Sequence, residues 1–255
     1  MRLSISKIKT FKSCRRLYEL HYVEGLSPIK TAEALEVGRS YHKLLEQLYR
    51  YGEIEEGLSR EYAMAAAYQK YIYPRFHVQE VENWKNYALG DGDVLVGVPD
   101  GIADDGHLVE HKTCGKSITE QYEYELAWDE QILAYMLMTG TRQVWYTVCQ
   151  KPTIRQKKNE TDEEFFQRRV AGYDEDTESK IRLLELTRTD EEVEEFKRSL
   201  FELRDVMKEA EKNKAFYKNT CHCDKWGRMC DYASVCLHYD PSQQYIEYEK
   251  EDREV

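Results

Sequence analysis

Apolar residues recur at helical spacing through about the first seventy positions, and then the pattern changes to alternation. Residues 4–22 read as one helix, with Ser4 or Ser6 as its cap and Leu26-Ser27-Pro28 as its break. A second helix is expected over about 31–51, with Leu35, Gly38, His42, Leu45 and Tyr49 on one stripe, and a third over about 56–73, ending before Pro74. From Val94 to Val98 the chain turns β-like, Asp104-Asp105-Gly106 is a turn signal, and His107–Lys112 is β-like again, which together predict a hairpin. Residues 118–139 form an amphipathic helix stopped by Gly140, and 142–150 a good strand. Residues 151–178 are polar and charged, an insertion or arm with a short helical piece near 161–171; 180–186 suits a last strand and 189–214 a charged amphipathic helix. A cysteine-rich stretch, 221–236, precedes an acidic tail, 240–255, read as disordered. This order predicts an α/β fold: a small mixed central sheet flanked by helices, with helical additions at both ends. One domain is expected over 1–239, its core in about 31–150 and 180–214.

Charge narrows the function only a little. The chain has 255 residues with net charge −11, of which the tail carries −4. An acidic total argues against a general nucleic-acid coat but leaves room for a local basic surface. Two such patches exist: Lys9, Lys12 and Arg16 at helical spacing, and the 151–158 run that contains Arg155. Either alone reads as a solvated face. No apolar run reaches membrane-spanning length and the start has no apolar signal region, so a cytoplasmic chain is expected. Seven cysteines in such a chain suggest metal or redox chemistry where they cluster.

The hairpin holds the chemistry. Glu110 and Lys112, two apart on one strand, share a face. Asp100 joins them only if the turn has three residues, Asp104-Asp105-Gly106, pairing 103 with 107 and setting Asp100 opposite Glu110. A two-residue Asp105-Gly106 turn would send Asp100 to the other face. The three-residue turn is the favoured register. Two carboxylates brought together there repel, and a hard divalent cation, Mg²⁺ or Mn²⁺, removes the conflict. The plain alternative is a surface Glu–Lys pair worth about 0.2–1 kcal/mol.

Pro99-Asp100, nine residues, then Glu110-His111-Lys112 resembles the PD-(D/E)XK nuclease signature. Gly38 and His42 resemble the G-x-x-x-H helix motif of its RecB-like branch, and Gln131 and Tyr135 that branch's Q-x-x-x-Y motif. Cys14 with Cys230-x₅-Cys236 resembles the iron–sulfur exonuclease subgroup, which spans phage and CRISPR-adaptation exonucleases. The resemblance implies a restriction-endonuclease-like core and a DNA exonuclease. In it His42, Asp100, Glu110 and the carbonyl of His111 bind the metal, Lys112 activates or orients water, and Gln131 and Tyr135 assist. It also implies a [4Fe–4S] cluster on Cys14, Cys230, Cys236 and a fourth cysteine. The subgroup often shows C-x₂-C-x₅-C, but Gly227 stands three before Cys230, so Cys223 (preferred) or Cys221 must supply that ligand. Cys114 and Cys149 read as plain core thiols. The implied partners are DNA and a phage recombination or single-strand-binding protein; cleavage polarity, strand preference and oligomeric state stay open. The rival readings are a non-catalytic DNA- or protein-binding scaffold, with an iron–sulfur cluster or zinc, and a zinc regulatory module.

Overall fold

The computed structural model describes residues 1–28, 33–225, 228–237 and 245–247. It divides into two compact units: residues 32–85 with 98–193, and residues 1–31 with 86–97 and 194–255. No helix among the described residues is long and apolar enough to cross a membrane.

The first unit is built on a five-stranded mixed sheet in the order Val78–Val81, Gly101–Ala103, Leu108–Cys114, Gln143–Gln150, Ile181–Thr187. Only Leu108–Cys114 and Gln143–Gln150 run parallel, with Lys112 beside Val148 and Cys114 beside Gln150. A parallel neighbour needs a long crossover, and Glu120–Glu125 and Glu130–Thr139 supply a helical one. Helices Glu33–Tyr51, Arg60–Tyr71 and Asp162–Glu175 pack Tyr41, Leu45, Leu48, Met64, Tyr68 and Tyr173 into one core with Cys149 and Ile181. A second core joins Ile132 and Met136 to Leu108, Val144, Tyr146 and Val148.

The other unit holds a three-stranded sheet, Arg2–Leu3, Asp93–Gly97 and Lys85–Gly90, with Leu3 beside Leu95 in parallel. Its helical elements include Ile5–Ser13, Arg15–Tyr18 and the continuation of Asp190–Asn213.

Several boundaries depart from the pattern-based expectation, each for a local reason. The 4–22 helix is interrupted at Cys14, which is extended (φ −162°); the Asn219 amide donates to the Ser13 carbonyl at 2.7 Å and the Asn219 N–H points to the Cys14 thiol at 3.3 Å. Lys9, Lys12 and Arg16 therefore do not share a continuous helical face. Ser4 is the cap, its hydroxyl accepting from the Lys7 N–H. The 118–139 helix breaks at Asp129, whose carboxylate caps the Gln131 N–H and restarts the helix; Gly140 stops it in the left-handed region (φ 81°). The 94–98 segment is not a hairpin arm. Its residues join the Arg2–Leu3 sheet, and the hairpin begins only at Gly101 because Pro99 offers no N–H to a ladder. The 151–178 arm carries a capped helix, Asp162–Glu175, with Phe165 and Tyr173 buried. Strands Val78–Val81 and Lys85–Gly90 lay outside the expectation. In the tail read as disordered, Tyr245–Glu247 instead pairs with Leu26–Pro28; residues 240–244 and 248–255, like Gly227, lie outside the described residues.

Candidate active site

The turn decides the site, and it is the three-residue one. Gly101 pairs with Val109 and Ile102 with Leu108, Ala103 donates to the His107 carbonyl at 2.8 Å, and Gly106 closes the turn at φ 87°. That φ is open to glycine at no steric cost. The Asp105 carboxylate fixes the loop, accepting from the His107 N–H at 3.0 Å and the Trp145 indole at 2.9 Å. Continued by one residue, this register sets Asp100 opposite Glu110. The Asp100 carboxylate accepts from the His111 N–H at 2.6 Å, which pins it to the strand carrying Glu110 and Lys112.

Its other oxygen lies 3.0 Å from His42 Nδ1, so the Glu33–Tyr51 helix delivers its imidazole to the hairpin. Gly38, one turn earlier, stands close to the same strand: a Cβ built there would lie 3.6 Å from the Thr113 hydroxyl. On the far side of Glu110 the Lys112 ammonium contacts the Glu110 carboxylate and donates to Gln131 Oε1 at 3.0 Å. Gln131 Nε2 donates to the Tyr135 hydroxyl at 2.9 Å, and that hydroxyl donates to the Val98 carbonyl at 3.0 Å. Six side chains singled out from the sequence thus form two short hydrogen-bonded chains that meet at the Asp100–Glu110 pair.

Burial and charge act on these groups in opposite directions. Burial alone would raise the Asp100 carboxyl; His42, by its charge and hydrogen bond, with His111 and Lys112 behind it, more than reverses this and holds it well below the usual carboxylate range. Glu110 is 2% exposed, and burial pushes its carboxyl up, Lys112 opposing and Asp100 reinforcing the rise. Burial disfavours the Lys112 ammonium, but Glu110 and Asp100 keep it charged. Burial likewise disfavours a charged His42, and Asp100 outweighs it. The pair is therefore one ionised and one reluctant carboxylate, two acids held close against their mutual repulsion.

His111 turns to the opposite face. Its ring stacks on Tyr49 at 6.0 Å, meets Tyr68 edge-on at 5.2 Å and hydrogen-bonds to Thr147 Oγ1 at 2.7 Å. Burial pushes it down to about 4, so it is a neutral core histidine.

Two acids near the site escaped sequence reasoning. Glu82 sits at φ 44°, a left-handed conformation that costs a non-glycine residue roughly 1–2 kcal/mol. Its N–H donates to the Asp100 carbonyl at 3.1 Å, and its carboxyl is raised by burial, then by Glu46 and Asp100. No spacing in the sequence marks Glu82; Glu46 was visible only as the residue one turn after His42.

The cysteines divide cleanly. Cys14, Cys223, Cys230 and Cys236 line one small cavity, with Leu17, Leu20, Lys218, Asn219, His222 and Tyr232 among its other walls. Cys221 is exposed and does not line it. Burial raises the Cys230 and Cys236 thiols, with Cys14 and Cys223 adding to both. Among the described residues no three His, Cys, Asp or Glu side chains are placed together so as to hold a metal ion, at this cavity or at the hairpin. Cys149 is fully buried against Tyr173, and Cys114 is half-buried with its thiol toward the Lys116 carbonyl. Of the basic residues, Arg16 is held by Glu19 and Glu24, and Arg155 is exposed in the loop before the Asp162–Glu175 helix.

A family model described as the PD-(D/E)XK nuclease superfamily matches residues 2–86. The matched segment holds Cys14, Gly38 and His42; Asp100, Glu110 and Lys112 lie beyond its end, on the hairpin described above. No curated protein sequence matches the chain. Among solved structures it is similar to an alkaline exonuclease from Laribacter hongkongensis, at 14% identity over 84% of this chain and 93% of that one, with a TM-score of 0.34. It is similar also to that exonuclease in complex with dAMP, at 15% identity and the same coverage and score. A phage-related exonuclease from Haemophilus somnus 129PT is similar at 13% identity over 72% of this chain and 88% of that one, with a TM-score of 0.36. At such scores these likenesses carry no weight for mechanism.

Proposed function

We propose that the chain is a metal-dependent DNA nuclease, an exonuclease of phage or prophage DNA processing, that hydrolyses phosphodiester bonds at the PD-(D/E)XK hairpin. The observation that carries this reading is the register: Asp100 faces Glu110 with His42 on one side and Lys112 on the other. A surface Glu–Lys pair would need neither the burial of Glu110 nor a histidine brought 58 residues along the chain to Asp100.

The donor types suit a hard divalent cation: the partly buried Asp100 carboxylate, the buried Glu110 carboxylate and the His42 imidazole. Asp100, Glu110 and His42 would hold Mg²⁺ or Mn²⁺, with the His111 carbonyl. When bound, the ion supplies charge stabilisation at the phosphoryl oxygens and an acidified water. The protein's own part is positional. His42 keeps Asp100 ionised. Gln131, fixed by Tyr135, and Glu110 hold the Lys112 ammonium where it orients the attacking water and offsets charge that develops on the phosphate.

The test is hydrolysis of end-labelled linear and closed circular DNA with Mg²⁺ or Mn²⁺, for the wild type and Lys112→Ala. The variant should lose about 10²–10⁴-fold in rate with DNA binding retained, and circular DNA should persist. Equal degradation by Lys112→Ala would refute catalysis at this site and favour the non-catalytic scaffold.

A [4Fe–4S] cluster belongs to the same proposal. Four thiols on one cavity suit it, since such clusters are bound by four thiolates, and the ligand in question is Cys223 rather than exposed Cys221. Protein purified without oxygen should be brown and contain iron. Cys223→Ser should lose both and Cys221→Ser neither; a colourless protein with one zinc would replace the cluster by a structural zinc site.

A further inference from the structure

Where the Gln143–Gln150 strand ends, a cleft of about 80 Å³ opens against the Asp162–Glu175 helix. Lys151, Arg169 and Lys180 line it, with Pro152, Ile154 and Tyr173 as its apolar walls. In a chain with eleven excess acids this is unusual. Elsewhere Arg168 is held by Glu160, Arg142 by Asp190 and Arg182 by Glu123. In the cleft, no ion pair to a carboxylate is formed by Lys151, Arg169 or Lys180 among the described residues; Lys180 donates to the Gly172 carbonyl at 2.5 Å and the Arg169 guanidinium to the Leu58 carbonyl at 3.1 Å. Arg169 Nε is buried without a hydrogen-bond partner. Burial depresses both Lys151 and Arg169, and Arg60 depresses both further; Cys114 opposes this at Lys151, and Glu61 and Asp162 oppose it at Arg169 from beyond ion-pair distance. Such crowding of like charges is relieved by an anion.

We propose that this cleft is a phosphate subsite, in which Lys151, Arg169 and Lys180 hold one phosphate of a nucleic-acid strand. That the anion belongs to a nucleic acid rests on the nuclease reading. Gln150 is the register partner of Cys114, two residues beyond Lys112, so the cleft opens where the strand beside the Glu110–Lys112 strand ends. A backbone phosphodiester and a terminal phosphate offer the same oxygens, and the experiment separates them.

The probe is a fluorescent single strand titrated in EDTA over a range of salt, carrying a 5′-phosphate, a 3′-phosphate or only hydroxyl ends. Lys151→Gln and Arg169→Gln should each weaken binding about three- to tenfold and lower the slope of log affinity against log salt by about 0.7. KM for DNA should rise with kcat within about twofold. Lys212→Gln, at an exposed position near the end of the Asp190–Asn213 helix, is the charge-matched control. An effect on all three strands marks a backbone phosphate; an effect confined to one phosphorylated end marks a terminal one. Half-exposed Lys151 has no packing role to lose, so it carries the test if Arg169→Gln does not fold. If both variants bind with wild-type affinity and slope, the subsite is wrong, whether or not the wild type degrades DNA. If the variants show the altered slope but the wild type cleaves nothing with Mg²⁺ or Mn²⁺, the subsite stands and the nuclease reading falls. No binding of DNA by the wild type overturns both.

Discussion

Gly101 stands one residue after Asp100, and a methyl group there has nowhere to go. A Cβ built on it would lie 2.7 Å from Val78 Cγ1 and 2.9 Å from the Glu80 carbonyl oxygen, with Val109 Cβ at 3.6 Å. Ordinary contact begins near 3.4 Å, so the Val78–Val81 strand must retreat by about half an ångström. Val78 cannot swing aside, because it is buried with Ala103 and Val109. Gly101→Ala should therefore cost about 1–3 kcal/mol, as overpacked cores do. At about 2–4 °C per kcal/mol for a domain of this size, that is on the order of 2–12 °C in Tm. The same shift carries Asp100 away from His42 and the His111 N–H, and misplacement of this order should lower kcat/KM by roughly 10- to 100-fold. Gly38→Ala is the paired control. It meets Thr113 at an ordinary 3.6 Å and exchanges a poor helix former for the best, so stability should rise by up to about 1 kcal/mol with activity kept. Urea titration and initial rates on linear DNA measure both. A Gly101→Ala protein with the wild-type unfolding midpoint and kcat/KM would refute the close strand approach on which the Asp100 placement depends.

Tyr135→Phe should cost roughly 1–3 kcal/mol by stranding the Val98 carbonyl and the Gln131 amide, and should reduce hydrolysis less than Lys112→Ala; urea titration with initial rates checks both. Asp93 is held below the ordinary carboxylate range chiefly by the Lys208 ammonium, which donates to it at 2.8 Å. A depressed carboxyl stabilises the fold above its unfolded pKa of about 3.9 and loses that contribution as pH falls through the lower folded value. The stability gap between wild type and Asp93→Asn should thus be full near neutral pH and close below about pH 4, which unfolding midpoints across a pH series would show or contradict. Burial pushes the Cys149 thiol up to about 12, whereas Cys221 is exposed. Alkylation followed by peptide mass mapping should label Cys221 in the native protein and Cys149 only after unfolding; equal rates would show that the Cys149 core opens readily.

Much of the site was legible in the sequence because its chemistry depends on short-range spacing. Glu110 and Lys112 are two positions apart and Gln131 and Tyr135 four apart, and those intervals fix a shared face on a strand or helix whatever the rest of the chain does. Asp104-Asp105-Gly106 likewise carried its turn type in its residues, since the glycine supplies the left-handed step. Other features had no local signal. The breaks at Cys14 and Asp129 fall inside good helical periodicity and come from hydrogen bonds, one of them to Asn219, some two hundred residues away. The separation of Asp93–Gly97 from the hairpin depended on a partner strand at Arg2–Leu3, and which thiols line one cavity, Cys223 but not Cys221, on how distant segments pack. Glu82 and the Lys151–Arg169–Lys180 cleft are likewise products of chain crossing. A sequence dictates what neighbours along the backbone can do together; which distant residues meet is decided only when burial of the whole core selects one arrangement of sheet and helices.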